Sequence, residues 1–252
     1  MIYSTSLHWH KADIIEALTR IHKVPIILEN VTRAMALGEM WYGLGKQAKN
    51  LIFINVGYGI GAGIIIDGKP VLGHLGLAGE FGHITADRNS GVLCECGNYG
   101  CLGALSSGNA IAKAVRTRLG EGQFSAIRDA CGGNLENVTA EMVADFAKRG
   151  DPLAFKVFDK AVEYLGIGIA NLINLVSPEA VVIGGGVAQA GPPLFNKVRK
   201  TVIGRALGRI SSGVMIEPAS FGIKAAVMGA VSLILGDVMN LNNGERFPTG
   251  KD

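Results

Sequence analysis

The 252-residue sequence lacks the features that mark membrane-spanning, secreted or nucleic-acid-binding proteins. Its longest apolar stretch, residues 164–176, contains two asparagines and is too short to cross a bilayer. The first ten residues have neither the basic flank nor the apolar core of a signal peptide. Lysine and arginine form no block, and the net charge is only +3, so nothing indicates that this segment binds nucleic acid. We expect a cytoplasmic protein without membrane contact.

Cysteine is scarce too, but three of the four cysteines lie within eight positions. Cys94, Cys96 and Cys101 share a glycine-containing segment that can fold several sulfurs around one point, and His83 can supply a fourth ligand. Three thiolates and one imidazole form a closed tetrahedral set, which suits structural zinc. The alternative is a group of buried or redox-paired thiols, although nothing marks the chain as secreted. Cys131 lies apart from this group, and we interpret it as a free thiol.

Glycine alternates with other residues after a predicted buried strand at residues 51–54. Glycines at every second position remove side chains from one face of the chain, so a phosphate or a sugar can approach the backbone amides. A glycine-rich hairpin that merely packs tightly would give the same pattern. The alternating positions are Gly57, Gly59, Gly61 and Gly63.

A carboxylate and an imidazole, Glu80 and His83, follow a flexible glycine-rich segment at residues 73–79. A carboxylate that accepts two hydroxyl hydrogen bonds can hold a polyol. If His83 binds zinc through one ring nitrogen, the other nitrogen can donate to a ligand or to a neighbouring carboxylate. The alternative is an ordinary surface glutamate beside a structural histidine.

Taken together, the patterns GxGxGxG, AGExGH and CxCGxxGC closely resemble the ROK family of repressors, open reading frames and sugar kinases. Residues 25–30 resemble the family's strand that leads to a sugar-contacting asparagine, here Asn30, and residues 182–187 resemble its adenosine-side turn. The resemblance covers roughly residues 7–236. It implies an α/β chain with the actin-like, ribonuclease-H-like ATPase fold, in which one lobe is incomplete and a zinc-stabilised loop is present.

The resemblance also implies ligands and partners. A hexose or an N-acetylhexosamine would contact Asn30, Glu80 and His83, and the chain would form a homodimer or a larger homo-oligomer such as a tetramer. Contact with DNA would come only through a module outside this chain. ATP and Mg²⁺ would bind only if the chain is a kinase. The structural Zn²⁺ ligands would be His83, Cys94, Cys96 and Cys101, and the nucleotide contacts, if any, Gly57, Gly59, Gly61, Gly184, Gly185 and Gly186.

Three positions depart from the family's kinases. In the kinases, the residue after Asn30 is an aspartate that takes the proton from the sugar hydroxyl, whereas this chain has Val31. Losing such a base lowers the rate by roughly 10²–10⁴. The usual threonine is replaced by Tyr58, whose bulk lies where phosphate contacts are expected. A further sugar-binding glutamate is replaced by Gly103.

The family's opening strand–turn–strand with its phosphate motif has no counterpart here. We therefore expect residues 1–47 to be a remnant of the N-terminal α/β lobe and residues 48–252 to form the C-terminal lobe. The second lobe would contain residues 83–101, which we call the cysteine loop, and a last helix that returns to the first lobe.

The sequence thus favours a sugar-sensing effector domain of a ROK transcriptional regulator, without kinase activity and therefore without a catalytic base. The alternative is an ATP-dependent, glucokinase-like hexose kinase. A third possibility is a degenerate paralogue that pairs with a full-length relative.

Hydrophobic periodicity and capping signals predict the secondary structure. Predicted strands cover residues 24–28, 51–54, 64–66, 180–184 and 215–217. Predicted helices cover residues 11–22, a helix capped by Asn30, three helices between residues 107 and 176, one helix from 192 to about 207 and one from 222 to 235. We expect the polar tail after Gly236 to fray.

Overall fold

A computed structural model describes residues 2–4, 9–12 and 14–238 of the chain. The strands are β1 (Ile2–Ser4), β2 (Trp9–Ala12), β3 (Leu51–Val56), β4 (Ile60–Ile66), β5 (Lys69–Pro70), β6 (Ala180–Gly184) and β7 (Met215–Pro218). The helices are α1 (Ile14–Ile21), α2 (Val31–Tyr42), α3 (Leu102–Ser106), α4 (Gly108–Gly120), α5 (Ile127–Ala130), α6 (Ala140–Lys148), α7 (Pro152–Val176), α8 (Pro192–Arg205), α9 (Gly208–Ser211) and α10 (Ala225–Val238).

A five-stranded mixed sheet in the order β5-β4-β3-β6-β7 forms the centre of the molecule. β3 and β6 are parallel, with Phe53 opposite Val182, and β7 continues the parallel part. β4 pairs with β3 in the antiparallel sense, and the two are joined by the short glycine-containing turn. β1 and β2 form a separate two-stranded ribbon.

Alternate residues of the central strands pack into two different cores, as expected for strands covered on both faces. Ile52, Ile54 and Val56 belong to a large core with α3, α4, α7 and α8. Leu51 and Phe53 belong to a smaller core with residues of α2 and α10. The sheet is therefore the layer that separates the two helical groups.

The last helix, α10, packs directly on α2. The backbones approach so closely that a Cβ atom built on Gly229 would lie 2.4 Å from the carbonyl oxygen of Ala34. A Cβ on Gly38 would lie 3.0 Å from the Gly229 nitrogen. Glycine at both positions thus permits this helix pair.

Most of the predicted elements are confirmed. Asn30 caps α2 through its side-chain oxygen, Thr139 caps α6, and Pro152 occupies the first turn of α7 behind the cap Asp151. β3, β6 and β7 lie where the apolar runs predict them. α10 begins at Ala225, after a 3-10 turn at Gly222–Lys224, and continues to Val238; the rest of the predicted tail lies outside the described residues.

Two predictions near the start of the chain are wrong. The predicted helix over residues 11–22 is shorter, because residues 11 and 12 belong to β2 and α1 begins at Ile14. The predicted strand over residues 24–28 does not form: no described strand pairs with it, and Val24 and Leu28 are exposed. An apolar run becomes a strand only where a neighbouring strand satisfies its amides. Over the described ranges, no helix is both long and apolar enough to cross a membrane.

Candidate metal centre and ligand site

The four predicted metal ligands come together at one point. The ligand atoms of His83, Cys94, Cys96 and Cys101 all lie within 4.8 Å of one another. The Cys96 and Cys101 sulfurs are 3.7 Å apart, and the Cys94 sulfur is 3.7 Å from His83 Nδ1. Bonds of about 2.3 Å from a tetrahedral zinc to sulfur give edges of about 3.8 Å between the ligands. The two separations of 3.7 Å therefore match the edge of a tetrahedral site.

Glycines let the cysteine loop make this arrangement. Gly97 N donates to Cys94 O and Cys94 N donates to Asn98 O, which closes a tight turn between Cys94 and Cys96. Gly100 has a φ of +72°, and a Cβ there would lie 1.9 Å from the carbonyl oxygen of Asp87. A side chain at position 100 would thus collide with the Asp87 carbonyl and shift the backbone that brings Cys101 to the site.

The thiols do not ionise together in the absence of a cation. Burial raises the pKa of Cys94, and burial together with the neighbouring thiols raises the pKa of Cys101 to about 12. The pKa of Cys96 is lowered to about 7, chiefly by a hydrogen bond with the backbone of Asn98. A coordinated metal ion deprotonates its thiol ligands outright, so the donor set suits a divalent cation rather than three free thiolates.

A side-chain hydrogen bond anchors the cysteine loop to α7. Tyr164 donates from its hydroxyl to Asp87 Oδ2 at 2.7 Å. This bond lowers the pKa of Asp87, while burial and the Asp87 carboxylate raise the pKa of Tyr164 to about 12. The anchor fixes the loop relative to the long core helix.

The candidate sugar-binding residues His83 and Glu80 are neighbours. His83 turns Nδ1 toward Cys94, and its Nε2 lies 3.9 Å from Glu80 Oε2. That separation is too long for a direct hydrogen bond, and both side chains reach solvent, with 35% and 56% of their surfaces exposed. The pair can therefore present a donor and an acceptor to the same small polar ligand.

Asn30 lies at the N-terminus of α2, which packs on β4. Its Oδ1 accepts hydrogen bonds from Thr32 N at 2.9 Å and Arg33 N at 3.2 Å. The first turn of α2 lies against Gly61, where a Cβ would be 2.9 Å from Thr32 Oγ1. Gly79, next to Glu80, accepts a hydrogen bond from Ala62 N on the same strand. β4 thus contacts both candidate ligand-binding segments.

The alternating glycines do not form a uniform row. Gly61 and Gly63 face α2, and a Cβ on Gly63 would lie 2.6 Å from both Ala36 Cβ and Thr32 O. These two are explained by helix packing. A Cβ on Gly57 would touch only the Asn55 side chain, at 3.8 Å, and nothing lies within 4 Å of a Cβ on Gly59, so these two positions leave room for a ligand.

The second glycine cluster borders a cavity. Gly185, with a φ of +92°, packs against Val56, and Gly184 packs against the Phe53 ring. Gly186 has open space beside it. Gly184 lines a cavity of about 610 Å³ at the carboxyl ends of β6 and β7, the usual place for a ligand in such sheets. Polar side chains in its wall include Gln189, Asn196, Arg199 and Ser220.

The three residues that depart from the kinase pattern differ in their surroundings. Val31 begins α2 and leaves 50% of its surface exposed, and Tyr58 leaves 75% exposed. Gly103 lies in α3, where a Cβ would meet Gly82 O at 3.2 Å. A larger side chain at position 103 would therefore have to displace its neighbour slightly.

Two buried acidic groups were missed by sequence reasoning. Glu29 pairs with Arg33, and the Glu39 carboxylate accepts hydrogen bonds from the nitrogen and hydroxyl of Ser220. The Glu29–Arg33 spacing of four residues is a signal that could have found the first pair. The Glu39–Ser220 contact joins residues 181 positions apart, and no local pattern predicts it.

Comparison with known proteins gives the same family that the sequence motifs resemble. The model of the ROK family matches residues 1–237. A glucokinase of Halalkalibacterium halodurans is 35% identical over 245 residues, which cover 96% of this chain and 73% of the relative. A xylose repressor of Caldicellulosiruptor bescii is 30% identical over 240 residues, covering 95% of this chain and 59% of the repressor.

The solved structures that resemble this chain likewise include both a glucokinase and a transcriptional regulator. A ROK family glucokinase from Streptomyces griseus, in complex with glucose and AMPPNP, superposes with a TM-score of 0.82 at 28% identity and covers 92% of this chain and 75% of that one. A ROK family transcriptional regulator, described as a homolog of the E. coli MLC protein, gives 0.79 at 32% identity, with 94% and 60% covered. The chain thus spans about three quarters of these glucokinases and three fifths of these regulators.

Proposed function

Because this chain belongs to the ROK family and has its actin-like ATPase fold, we propose that it is the sugar-sensing effector domain of a transcriptional regulator and that it does not phosphorylate its ligand. Its relatives include both glucokinases and xylose repressors, so family membership alone does not decide between catalysis and sensing. The proposal therefore rests on the residues of the site.

The side chain of Val31 carries this proposal. The resemblance puts the kinase base at this position, and a valine can neither accept a proton nor bind a hydroxyl. The adjacent carboxylate of Glu29 does not replace the base, because it is 7% exposed and bound to Arg33. A site that binds a sugar but has no base at the reacting hydroxyl is suited to sensing.

The retained residues supply complementary hydrogen-bonding groups for a hexose or an N-acetylhexosamine. The oxygen of Asn30 is occupied by helix amides, so its NH₂ group is the part left for a ligand oxygen. Glu80 accepts hydroxyl hydrogen bonds. His83 donates from Nε2 when Nδ1 is bound to a metal ion. These roles leave the carboxylate as the acceptor and the other two side chains as donors.

We further propose that the cysteine loop holds one structural zinc ion through His83, Cys94, Cys96 and Cys101. A closed set of four protein ligands leaves no position for a reacting water, so the ion stabilises the loop and orients His83. The division into a partial first lobe, residues 1–47, and a second lobe, residues 48–252, is part of the same proposal. DNA binding would need a separate module.

One observation favours the kinase alternative. The cavity of about 610 Å³ beside Gly184 lies where the resemblance expects adenosine, and it is large enough for a small cofactor. In that case the chain would bind ATP with Mg²⁺ and transfer phosphate to a hexose.

Restoring the missing carboxylate tests the proposal. We expect the wild-type chain to transfer no phosphate from ATP with Mg²⁺ to glucose, mannose, xylose or N-acetylglucosamine in a radiometric assay. Any residual transfer by the wild type should rise by about 10²–10⁴ in Val31→Asp and should not rise in Val31→Asn, which cannot take a proton. Wild-type turnover at rates typical of an enzyme would contradict the proposal and identify a kinase, and turnover that Val31→Asp leaves unchanged would show that Val31 is not the missing base position.

A further inference from the structure

A nearly buried ion pair lies beside the candidate sugar site. Glu29 and Arg33 expose only 7% and 8% of their side-chain surfaces, and the pair spans the start of α2. Removing two charges from water is costly, and apolar residues of similar size often stabilise a fold as well as a buried pair does. The pair therefore calls for an explanation beyond fold stability.

The guanidinium of Arg33 joins two separate segments. Its Nε donates to Glu29 Oε1 at 2.8 Å, and Nη2 contacts the same oxygen. Nη1 and Nη2 also donate to the carbonyl oxygen of Gly76, at 3.2 and 3.3 Å. Glu29 Oε1 in turn accepts from Asn30 N at 2.6 Å. One carboxylate oxygen thus fixes both the Arg33 side chain and the backbone of Asn30.

Gly76 is the middle of residues 73–79, which we call the ligand loop because it leads directly into Glu80. Leu75 and Leu77, on either side of Gly76, are 76% and 62% exposed, so side-chain packing does not hold this part of the loop. The loop's internal bonds, such as Gly76 N to Gly73 O, are local. Its end is fixed where Gly79 O accepts from Ala62 N. Arg33 supplies the connection from the middle of the loop to α2.

We propose that Arg33 is a positioning residue that holds the ligand loop against the start of α2. It thereby keeps Glu80 and Asn30 at the separation that a sugar requires. This inference rests on the proposed function, because it assigns Glu80 and Asn30 to the same ligand. Arg33 itself is buried and does not contact the sugar.

The test uses variants of the full, zinc-loaded chain that avoid an unpaired buried charge. The double variant Glu29→Gln/Arg33→Met removes both charges and keeps an acceptor for Asn30 N. Arg33→Lys keeps the charge but lacks the planar fork that bonds two acceptors at once. The matched control is Arg20→Met, which breaks an exposed pair of the same spacing with Glu16 on α1.

Two quantities are measured: amide hydrogen exchange of residues 73–80, and affinity for glucose, mannose, xylose and N-acetylglucosamine by calorimetry. We expect at least tenfold faster exchange in the ligand loop of the double variant, with β3 and β6 unchanged. We expect at least tenfold weaker binding of the sugar that the wild type binds. Arg33→Lys should give intermediate values, and Arg20→Met should match the wild type.

The outcomes separate this inference from the proposed function. If the wild type binds a sugar and the double variant binds it equally well, Arg33 is not a positioning residue, and the proposed function stands. Unchanged loop exchange would likewise overturn the inference. If the wild type binds none of the four sugars, the proposed function fails. The ligand role of Arg33 then fails as well, even if amide exchange shows that Arg33 holds the ligand loop.

Discussion

At the start of α2, the side chain of Asn30 divides its two polar groups between the helix and the solvent. Its oxygen satisfies two helix amides, which confirms the cap that the sequence predicts. Its NH₂ group stays available to a ligand. One residue can thus end a loop, begin a helix and present a donor. For this reason a capping signal in the sequence does not exclude a binding role.

The carboxylate of Asp151 gives a test at the residue scale. It accepts hydrogen bonds from Ala154 N, Ala126 N and the Ser125 hydroxyl. Burial alone would raise its pKa, but these bonds outweigh burial and lower the pKa below 3.8. The stabilisation is therefore complete above about pH 5, starts to fall near pH 4, and is lost as the pH falls through the lowered value.

We predict that Asp151→Asn removes up to about 1 kcal/mol of unfolding free energy at neutral pH. Urea unfolding at pH 7, 5, 4 and 3 measures the difference from wild type, which should stay constant from pH 7 to about pH 5 and shrink at pH 4 and pH 3. Asp145→Asn, at an exposed pair with Lys148, is the control and should have little effect. A difference for Asp151→Asn that persists undiminished at pH 3 would contradict this account.

At the scale of elements, the cysteine loop is held by few apolar contacts of its own. Leu93 and Tyr99 are both 57% exposed, so the Tyr164–Asp87 bond and the proposed metal ion would carry much of the loop's order. The spacing in the sequence predicted that the four side chains His83, Cys94, Cys96 and Cys101 would meet at one point. It could not predict the Tyr164 anchor, because that bond joins residues 77 positions apart.

Removing the metal should therefore loosen the cysteine loop first. We expect chelation to lower the melting temperature and to accelerate amide exchange at residues 83–101, while β3 and β6 keep their protection. Structural zinc in small domains contributes on the order of 10 kcal/mol to folding, and a share of that supports this loop. Cys96→Ser should lose the zinc measured by mass spectrometry, whereas Cys131→Ser should retain it. Purified chain without zinc and insensitive to chelator would refute the assignment.

The α2–α10 contact gives a second test at this scale. Gly229→Ala places a methyl group 2.4 Å from Ala34 O, so the helices must separate, at a cost of about 1–3 kcal/mol. Gly204→Ala is the matched control, because nothing lies within 4 Å of that position in α8. It should stabilise the chain by up to about 1 kcal/mol. Thermal unfolding compares the two, and equal effects would show that the close packing is unimportant.

Elements inside the sheet and the long helices were predictable, because periodic apolar residues coincide with burial there. The run at residues 24–28 was not, since its sequence is as apolar as that of a strand but no described strand lies beside it. The glycine alternation combined two causes. Gly61 and Gly63 permit close helix packing, whereas Gly57 and Gly59 have no close neighbour. The sequence alone cannot separate these two roles.

For the whole molecule, α2 connects the candidate ligand groups. Its start carries Asn30 and the Glu29–Arg33 pair, and farther along the helix Glu39 binds Ser220, which lines the 610 Å³ cavity. The family and the fold could be predicted from short motifs. The buried charges that join α2 to distant loops could not, because their partners meet only in the folded chain.

The central claim is that the chain binds a sugar without phosphorylating it. Calorimetric titration of the zinc-loaded chain with hexoses and N-acetylhexosamines, with and without ATP and Mg²⁺, tests it most directly. We predict saturable sugar binding that nucleotide does not change. Binding that ATP tightens, with heat from turnover, would contradict the claim and identify a kinase, and no binding of any sugar would contradict the sensor itself.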